Sequence, residues 1–138
     1  MSFSEQDRTL LARLADVLIP AGNGMSSASQ ADVAGSHLDQ VLTARPDFAL
    51  SLRGLLDRAR GTDPTAFVER ERRANSPAFA VLAEFAPSAY FLNECVRQQI
   101  GYAGQTALQL DERPDYLDDG LLDSVIRRGP IYRPTPSD

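Results

Sequence analysis

Prolines divide the first hundred residues of this chain into short stretches, most of which repeat apolar side chains every three or four residues. That spacing places the apolar side chains on one face of an α-helix, and no stretch shows the strict alternation of a half-buried β-strand. Each proline marks a helix boundary or a kink, because it lacks the backbone N–H that a helix interior needs. The sequence therefore predicts an all-α fold, a compact bundle of about five to six helices over residues 1–101 followed by an irregular C-terminal segment.

Capping residues set the predicted helix boundaries. Ser4 caps the first helix, with Asp7 at the capping-box position, and Pro20 ends that helix. Asp63 and Pro64 begin the fourth helix as cap and first helical residue. The other predicted helices cover about 31–44, 48–59 and 77 onward, with Pro87 either kinking the fifth helix or separating it from a sixth over 88–100.

The sequence changes character after Gly101. Four prolines break up residues 102–138, and the only helix predicted there covers about 120–126. The segment nevertheless contains aromatic and aliphatic side chains, which disordered tails lack because they have no core in which to bury them. We therefore expect residues 102–138 to pack on the helical body or on a partner, within one domain overall. The side chains concerned are Tyr102, Tyr116, Leu121, Leu122, Val125, Ile126, Ile131 and Tyr132.

Charge and hydropathy exclude several classes of function. A net charge of −5 and a pI near 4.8 argue against nucleic-acid binding, which needs a clustered basic face. No window approaches about 18 uncharged apolar residues, so membrane insertion is not expected. The N-terminal residues include no basic region, long apolar run or twin arginine, which predicts a cytoplasmic protein. A periplasmic location is expected only if a leader has been removed or a partner carries one.

The sequence contains no recognisable catalytic or metal-binding constellation. His37 is the only histidine and is predicted to be a surface or capping residue. Cys95 is the only cysteine and is predicted to be a buried, unreactive thiol. The acidic cluster over 111–119 lacks the ligand order of a calcium loop, and the glycines near Asn23 lack the strand and lysine of a phosphate-binding loop. We predict no catalytic, cofactor-binding or metal-binding residue in this chain.

Tyrosine and arginine side chains near two loops indicate a protein interface. These residue types are enriched at interface hot spots, because they combine a large contact area with a polar group. Packing of both segments on the chain's own helices is the alternative interpretation. The predicted partner-contacting residues are Tyr102, Gln105, Tyr116, Arg127, Arg128, Pro130 and Tyr132.

Two short runs resemble motifs of the gluconate 2-dehydrogenase subunit 3 family. The first is Leu14–Pro20, followed by Gly22, Gly24, Met25 and residues 27–29. The second is Ile100–Gln105, which is similar to that family's Gly-Tyr-Pro-Gly-Gln-like turn, with Ala103 where proline is usual. The resemblance extends over about residues 11–105.

This resemblance implies a role as the small subunit of a heteromeric dehydrogenase. In such complexes the large subunit is a flavoprotein of the glucose–methanol–choline (GMC) oxidoreductase type, which holds FAD and the catalytic histidine. The chain is thus expected to be a non-catalytic subunit that binds and stabilises the large subunit of a sugar, sugar-acid or alcohol dehydrogenase. The twin-arginine leader of many family members is missing here, which favours a cytoplasmic complex.

Two alternatives stay open. The first is a stand-alone helical interaction module, perhaps a homodimer, with no redox partner. The second is a small enzyme that uses an acid–base residue such as Asp16 or Glu94 in a cleft, which the lack of a paired motif disfavours.

Overall fold

The computed structural model describes residues 2–105 and 119–131 of the chain. The chain divides into two compact units, Met1–Gly104 and Gln105–Asp138. Within the described residues there are seven helices and no strand beyond an isolated bridge, so the predicted all-α fold is confirmed. The first unit contains α1 (Glu5–Leu18), α2 (Ser36–Ala44), α3 (Phe48–Ala59), α4 (Pro64–Arg73), α5 (Pro77–Tyr90) and α6 (Glu94–Gln99), and the second contains α7 (Asp123–Arg128).

The predicted caps of α1 and α4 are present. Asp7 N donates to Ser4 Oγ at 3.2 Å, while Ser4 N donates to Asp7 Oδ2 at 3.0 Å, which completes the capping box. Ala66 N donates to Asp63 Oδ1 at 2.9 Å at the start of α4. These local hydrogen bonds satisfy backbone donors that the first turn of a helix leaves free.

Helix α2 begins at Ser36, five residues later than the prediction that it starts near Ala31. Asp32 has a positive φ of 57°, which interrupts a right-handed helix, and its Oδ2 accepts hydrogen bonds from Ser36 N and Ser36 Oγ. A Cβ on Gly35 would overlap the Asp32 carboxylate, so any other residue there would displace this side chain. The local side-chain-to-backbone bonds of Asp32 therefore replace the first helical turn.

Pro87 does not end α5, which continues to Tyr90. The helix carries a single charged residue, Glu84, and packs against α1, α2, α3 and α4. Burial around this central helix outweighs the cost of an interior proline, about 3 kcal/mol. Helix α6 begins at Glu94 and not at Ser88 as predicted, because Asn93 caps it by accepting a hydrogen bond from Val96 N.

The core of the first unit lies around α5. Side chains from every helix of that unit meet there with almost no exposure to solvent, which fixes the positions of the loops between the helices. The largest fully buried side chains are Leu11, Leu14, Val33, Leu38, Leu52, Leu55, Leu56, Phe67, Val68, Leu82, Phe85 and Val96.

Helix α7 of the second unit begins three residues later than the predicted 120–126 and contains no buried residue. Leu122 occupies its N-cap position, where no side chain accepts a hydrogen bond. Among the residues that the structure describes, no helix is long and apolar enough to cross a membrane.

Candidate protein-interaction surface

Two loops of the first unit contain most of the residues behind the family resemblance, and hydrogen bonds connect one loop to the residue that precedes the other. We call residues 19–35 the α1–α2 loop and residues 100–104 the α6 turn. Ser26 N, in the loop, donates to Gln99 Oε1 at 3.3 Å, and Gln99 Nε2 donates to Ser26 Oγ at 3.2 Å. These bonds connect positions that are 73 residues apart in sequence and place the loop against the residue that precedes the turn.

The α1–α2 loop begins with a tight hairpin. Gly22 and Met25 exchange two backbone hydrogen bonds of 3.2 and 2.8 Å, and the residues between them, Asn23 and Gly24, both have positive φ. Positive φ at both central positions is the signature of a type I′ turn, for which Asn-Gly is a preferred pair. The hairpin exposes residues 21–24 to solvent.

Helix α1 holds the loop from one side. Ser29 N donates to Asp16 Oδ1 at 2.8 Å. Within the loop, Ala28 N donates to Ile19 O, just after the end of α1, at 3.0 Å. Asp16 was a candidate acid–base residue for the enzyme alternative, but its carboxylate binds the loop backbone here. The loop is thus anchored at its middle as well as at its two ends.

Helices α5 and α6 hold the loop from the other side. The Tyr90 hydroxyl donates to Ser26 O at 2.6 Å, and Asn93 Nδ2 donates to Ala31 O at 3.1 Å. Tyr90 is buried, so this bond satisfies a polar group that water could not reach easily. Contacts on both sides thus hold residues 26–31 of the loop, which lowers the entropy that this part would lose when a partner binds.

The α6 turn follows a Schellman motif. Tyr102 N donates to Arg97 O at 2.8 Å and Gly101 N donates to Gln98 O at 3.0 Å, which satisfies the last carbonyls of α6. Gly101 has a φ of +72°, a conformation that other residues adopt only with strain. The motif reverses the chain direction and leaves the Tyr102 side chain 51% exposed.

A cleft of about 330 Å³ lies between α6 and its turn. Glu94, Arg97, Gln98 and Tyr102 line it together with Ala103 and Gly104. Both charge signs and an aromatic side chain are available in this cleft, which suits contact with a mixed polar and apolar protein surface. Within the described residues, no three side chains of His, Cys, Asp or Glu come together as they would to hold a metal ion.

The other predicted contact residues belong to the second unit. Gln105 is exposed, Arg127 and Arg128 lie exposed in the last turn of α7, and Pro130 follows shortly after that helix and is exposed as well. Helix α7 thus brings the two arginines and Pro130 into one short segment. Tyr116 and Tyr132 lie outside the described residues.

The prediction that Cys95 is buried is wrong, because its thiol lies on the exposed side of α6 while the neighbouring Val96 faces the core. Helix α6 has six residues and buries one of them, and the sequence did not show which residue that would be. His37 is half-buried in the first turn of α2, where its Nδ1 donates to the loop carbonyl oxygens of Ala31 and Asp32 at 3.1 and 3.2 Å.

Sequence reasoning missed the side chains that hold this surface together. Tyr90, Asn93 and Gln99 each reach a loop more than 60 residues away, and no local pattern indicates such a contact. The Asn-Gly pair at 23–24 is the one local signal that could have shown the hairpin in advance.

Comparisons with models of protein families, with curated proteins and with solved structures find no match to this chain.

Proposed function

We propose that this chain is the non-catalytic small subunit of a heteromeric dehydrogenase, where it binds and stabilises a GMC-type large subunit that contains FAD. The observation that supports this proposal most is the hydrogen-bonded pairing of Ser26 with Gln99. It connects Ser26, which lies between the resembling positions Met25 and Ser27, to the residue just before the resembling run Ile100–Gln105, although the two are far apart in sequence. Neighbouring motifs of this kind are expected if both serve one shared surface.

The exposed part of that surface has the composition of a contact site. We define the motif face as the hairpin residues 21–24 together with Ile100 and Tyr102. Ile100 is 50% exposed and Tyr102 is 51% exposed. An exposed aromatic residue on a rigid turn offers a large contact area and loses little conformational entropy on binding. The motif face is therefore the proposed contact with the flavoprotein.

The second unit supplies the other proposed contacts. Arg127, Arg128 and Pro130 are exposed, and a guanidinium can bind a partner's carboxylate through two parallel hydrogen bonds. In this proposal FAD and the catalytic groups belong to the large subunit, whose pocket determines whether the substrate is a sugar, a sugar acid or an alcohol.

Co-expression with the GMC-type flavoprotein encoded nearest to this chain tests the proposal. We expect the two chains to co-elute in size-exclusion chromatography with flavin absorbance in the shared peak. The flavoprotein expressed alone is expected to lose solubility, FAD content or activity. A flavoprotein that is fully soluble and active alone, and never co-elutes with this chain, would overturn the proposal.

A matched pair of variants tests the motif face itself. Tyr102→Ala is expected to weaken assembly about tenfold or more, as truncation of a central aromatic contact does at other interfaces. Leu50→Ala is the control, since Leu50 is an exposed aliphatic residue on α3, away from the motif face in sequence. If the two variants assemble equally well, Tyr102 is not part of the contact with the flavoprotein.

A further inference from the structure

Asn23 lies at the tip of the exposed hairpin in the α1–α2 loop, directly before Gly24. Two backbone hydrogen bonds cross the turn, both between Gly22 and Met25, and the Gly24 N–H belongs to neither of them. No hydrogen bond from a described residue holds the Asn23 side chain. The side-chain amide of Asn23 and the backbone nitrogen that follows it are therefore both unrestrained.

The other two asparagines of the chain, Asn75 and Asn93, lie in more restrained surroundings. At Asn93, Oδ1 accepts a hydrogen bond from Val96 N at 3.2 Å and Nδ2 donates to Ala31 O at 3.1 Å, so the side-chain amide is held at both atoms. After Asn75, the backbone nitrogen of the next residue donates to Glu71 O at 3.1 Å. Asn23 is thus the asparagine whose two reactive groups the fold leaves free.

These two groups can react with each other. A backbone nitrogen that attacks the side-chain amide carbon of the preceding asparagine closes a five-membered ring, and such an intramolecular attack needs no second molecule to be positioned. Glycine hinders the attack least, because it has no Cβ beside its nitrogen. Exposure of the hairpin to solvent supplies the base that takes the N–H proton and the water that completes the reaction.

We propose that Asn23 is a site of spontaneous deamidation in the folded chain. Gly24 N loses its proton to solvent and attacks Asn23 Cγ, which forms an N–C bond, and the side-chain nitrogen takes up a proton and leaves as ammonia. Water then opens the resulting succinimide at one of its two carbonyl carbons. The product is aspartate or isoaspartate at position 23, and nothing is oxidised or reduced.

The hairpin offers little resistance to this ring closure. The Gly24 nitrogen must turn toward Asn23 Cγ, which requires rotation about the Asn23 Cα–C bond. Within the described part of the chain, only the two hydrogen bonds between Gly22 and Met25 cross the turn and oppose that rotation. The contacts of the loop with α1, α5 and α6 begin at Ser26. The hairpin can therefore open locally while the helical core stays folded.

The product changes the hairpin in two ways. Either form carries a carboxylate, which is ionised at neutral pH and adds a negative charge at position 23. In isoaspartate the backbone runs through the former side chain and gains one carbon atom, which a two-residue type I′ turn between Gly22 and Met25 does not accommodate. The hairpin belongs to the motif face, so the modified chain is expected to bind the flavoprotein less tightly. That consequence rests on the proposed function, whereas the modification is measured on the chain alone.

Peptide mass spectrometry of the purified full chain, incubated in mildly alkaline buffer, tests the proposal. The peptide that contains Asn23 is expected to gain about 1 Da and to contain isoaspartate. Isomerisation of Asp119, which also precedes a glycine, adds no mass and is distinguished in this way. Asn23→Gln is expected to prevent the gain over the same period, since its longer side chain would have to close a six-membered ring.

Glu94→Gly provides a matched control, because it creates a second asparagine–glycine pair at Asn93, whose side chain is held at both atoms. In the folded variant, Asn93 is expected to deamidate at least about tenfold more slowly than Asn23, since local opening must first break its two hydrogen bonds. In urea, where both pairs are unfolded, the two rates are expected to become similar.

An Asn23 that stays unmodified in the folded chain while it reacts in urea would overturn the proposal. Equal rates at Asn23 and Asn93 in the folded Glu94→Gly variant would overturn its structural basis, because the dipeptide alone would then determine the reaction. Both measurements use the chain without a partner, so neither outcome bears on the proposed function.

Discussion

Helices α5 and α7 both carry apolar side chains at helical spacing, yet one is buried and the other exposed. In α5, Leu82, Phe85, Ala86 and Ala89 are fully enclosed by the surrounding helices of the first unit. In α7, no side chain is buried. An apolar stripe therefore predicts that a helix face will be covered, but it does not say whether the cover comes from the same unit or from another molecule.

The largest expected difference between the two helices concerns unfolding. Phe85→Ala should lower the free energy of unfolding by about 3–5 kcal/mol, since it removes a fully buried ring and leaves a cavity. Ile126→Ala should change it by less than about 0.5 kcal/mol, because that side chain is 66% exposed. Urea unfolding of the dilute chain, followed by circular dichroism, measures both.

Similar losses in the two variants would contradict the comparison, since Ile126 would then be part of a cooperative core.

A second prediction concerns how firmly α5 holds the α1–α2 loop. Tyr90→Phe removes only the hydroxyl that donates to Ser26 O and should destabilise the first unit by about 1–2 kcal/mol. Hydrogen exchange of the loop amides over residues 22–31 should become faster, whereas exchange in α7 should not change. Phe79→Leu, a change in another apolar residue of α5, is the control that should leave loop exchange near its wild-type rate. Unchanged loop exchange in Tyr90→Phe would show that Asp16, Asn93 and Gln99 hold the loop without Tyr90.

Local rules predicted much of the fold, because caps and prolines act over only a few residues. Ser4 and Asp63 begin helices where their side chains and the following residues indicated. The rules left two outcomes open at Pro87, where burial of α5 outweighs the missing hydrogen bond and the helix continues. They failed near Gly35, where the Asp32 carboxylate determines the turn.

The candidate site was harder to predict from the sequence than the fold. Tyr102 could be singled out because tyrosine is enriched at interface hot spots, but its contacts with a partner stay a prediction. The bonds from Tyr90 and Gln99 to Ser26 connect positions that only the packed helices bring together. Side chains that position a surface through long-range contacts leave no periodic signal.

The smallest expected effect concerns the capping box at the start of α1. The start of α7, by contrast, has no side-chain cap. The pKa of Asp7 is lowered because the Ser4 hydroxyl and backbone N–H donate to its carboxylate, with Arg60 and Arg53 adding attraction against the opposing effect of burial. Folding therefore favours ionised Asp7. Its stabilising contribution is complete above the ordinary Asp pKa of about 3.9 and is lost as the pH falls through the lower folded value.

Asp7→Asn keeps a side-chain acceptor for Ser4 but removes the charge and the 2.6 Å ion pair with Arg60, whose guanidinium is half exposed. We expect a loss of no more than about 1 kcal/mol at pH 7, because solvent screens such a pair. The difference between wild type and variant should shrink as the pH falls below about 4, since protonated Asp7 is also uncharged. Urea midpoints at pH 7, 4 and 3 measure this convergence, and Asp57→Asn, a change in an exposed Arg60 partner with no cap role, is the control. A difference that persists undiminished at pH 3 would mean that Asp7 acts through its shape and hydrogen-bonding geometry, and not through its charge.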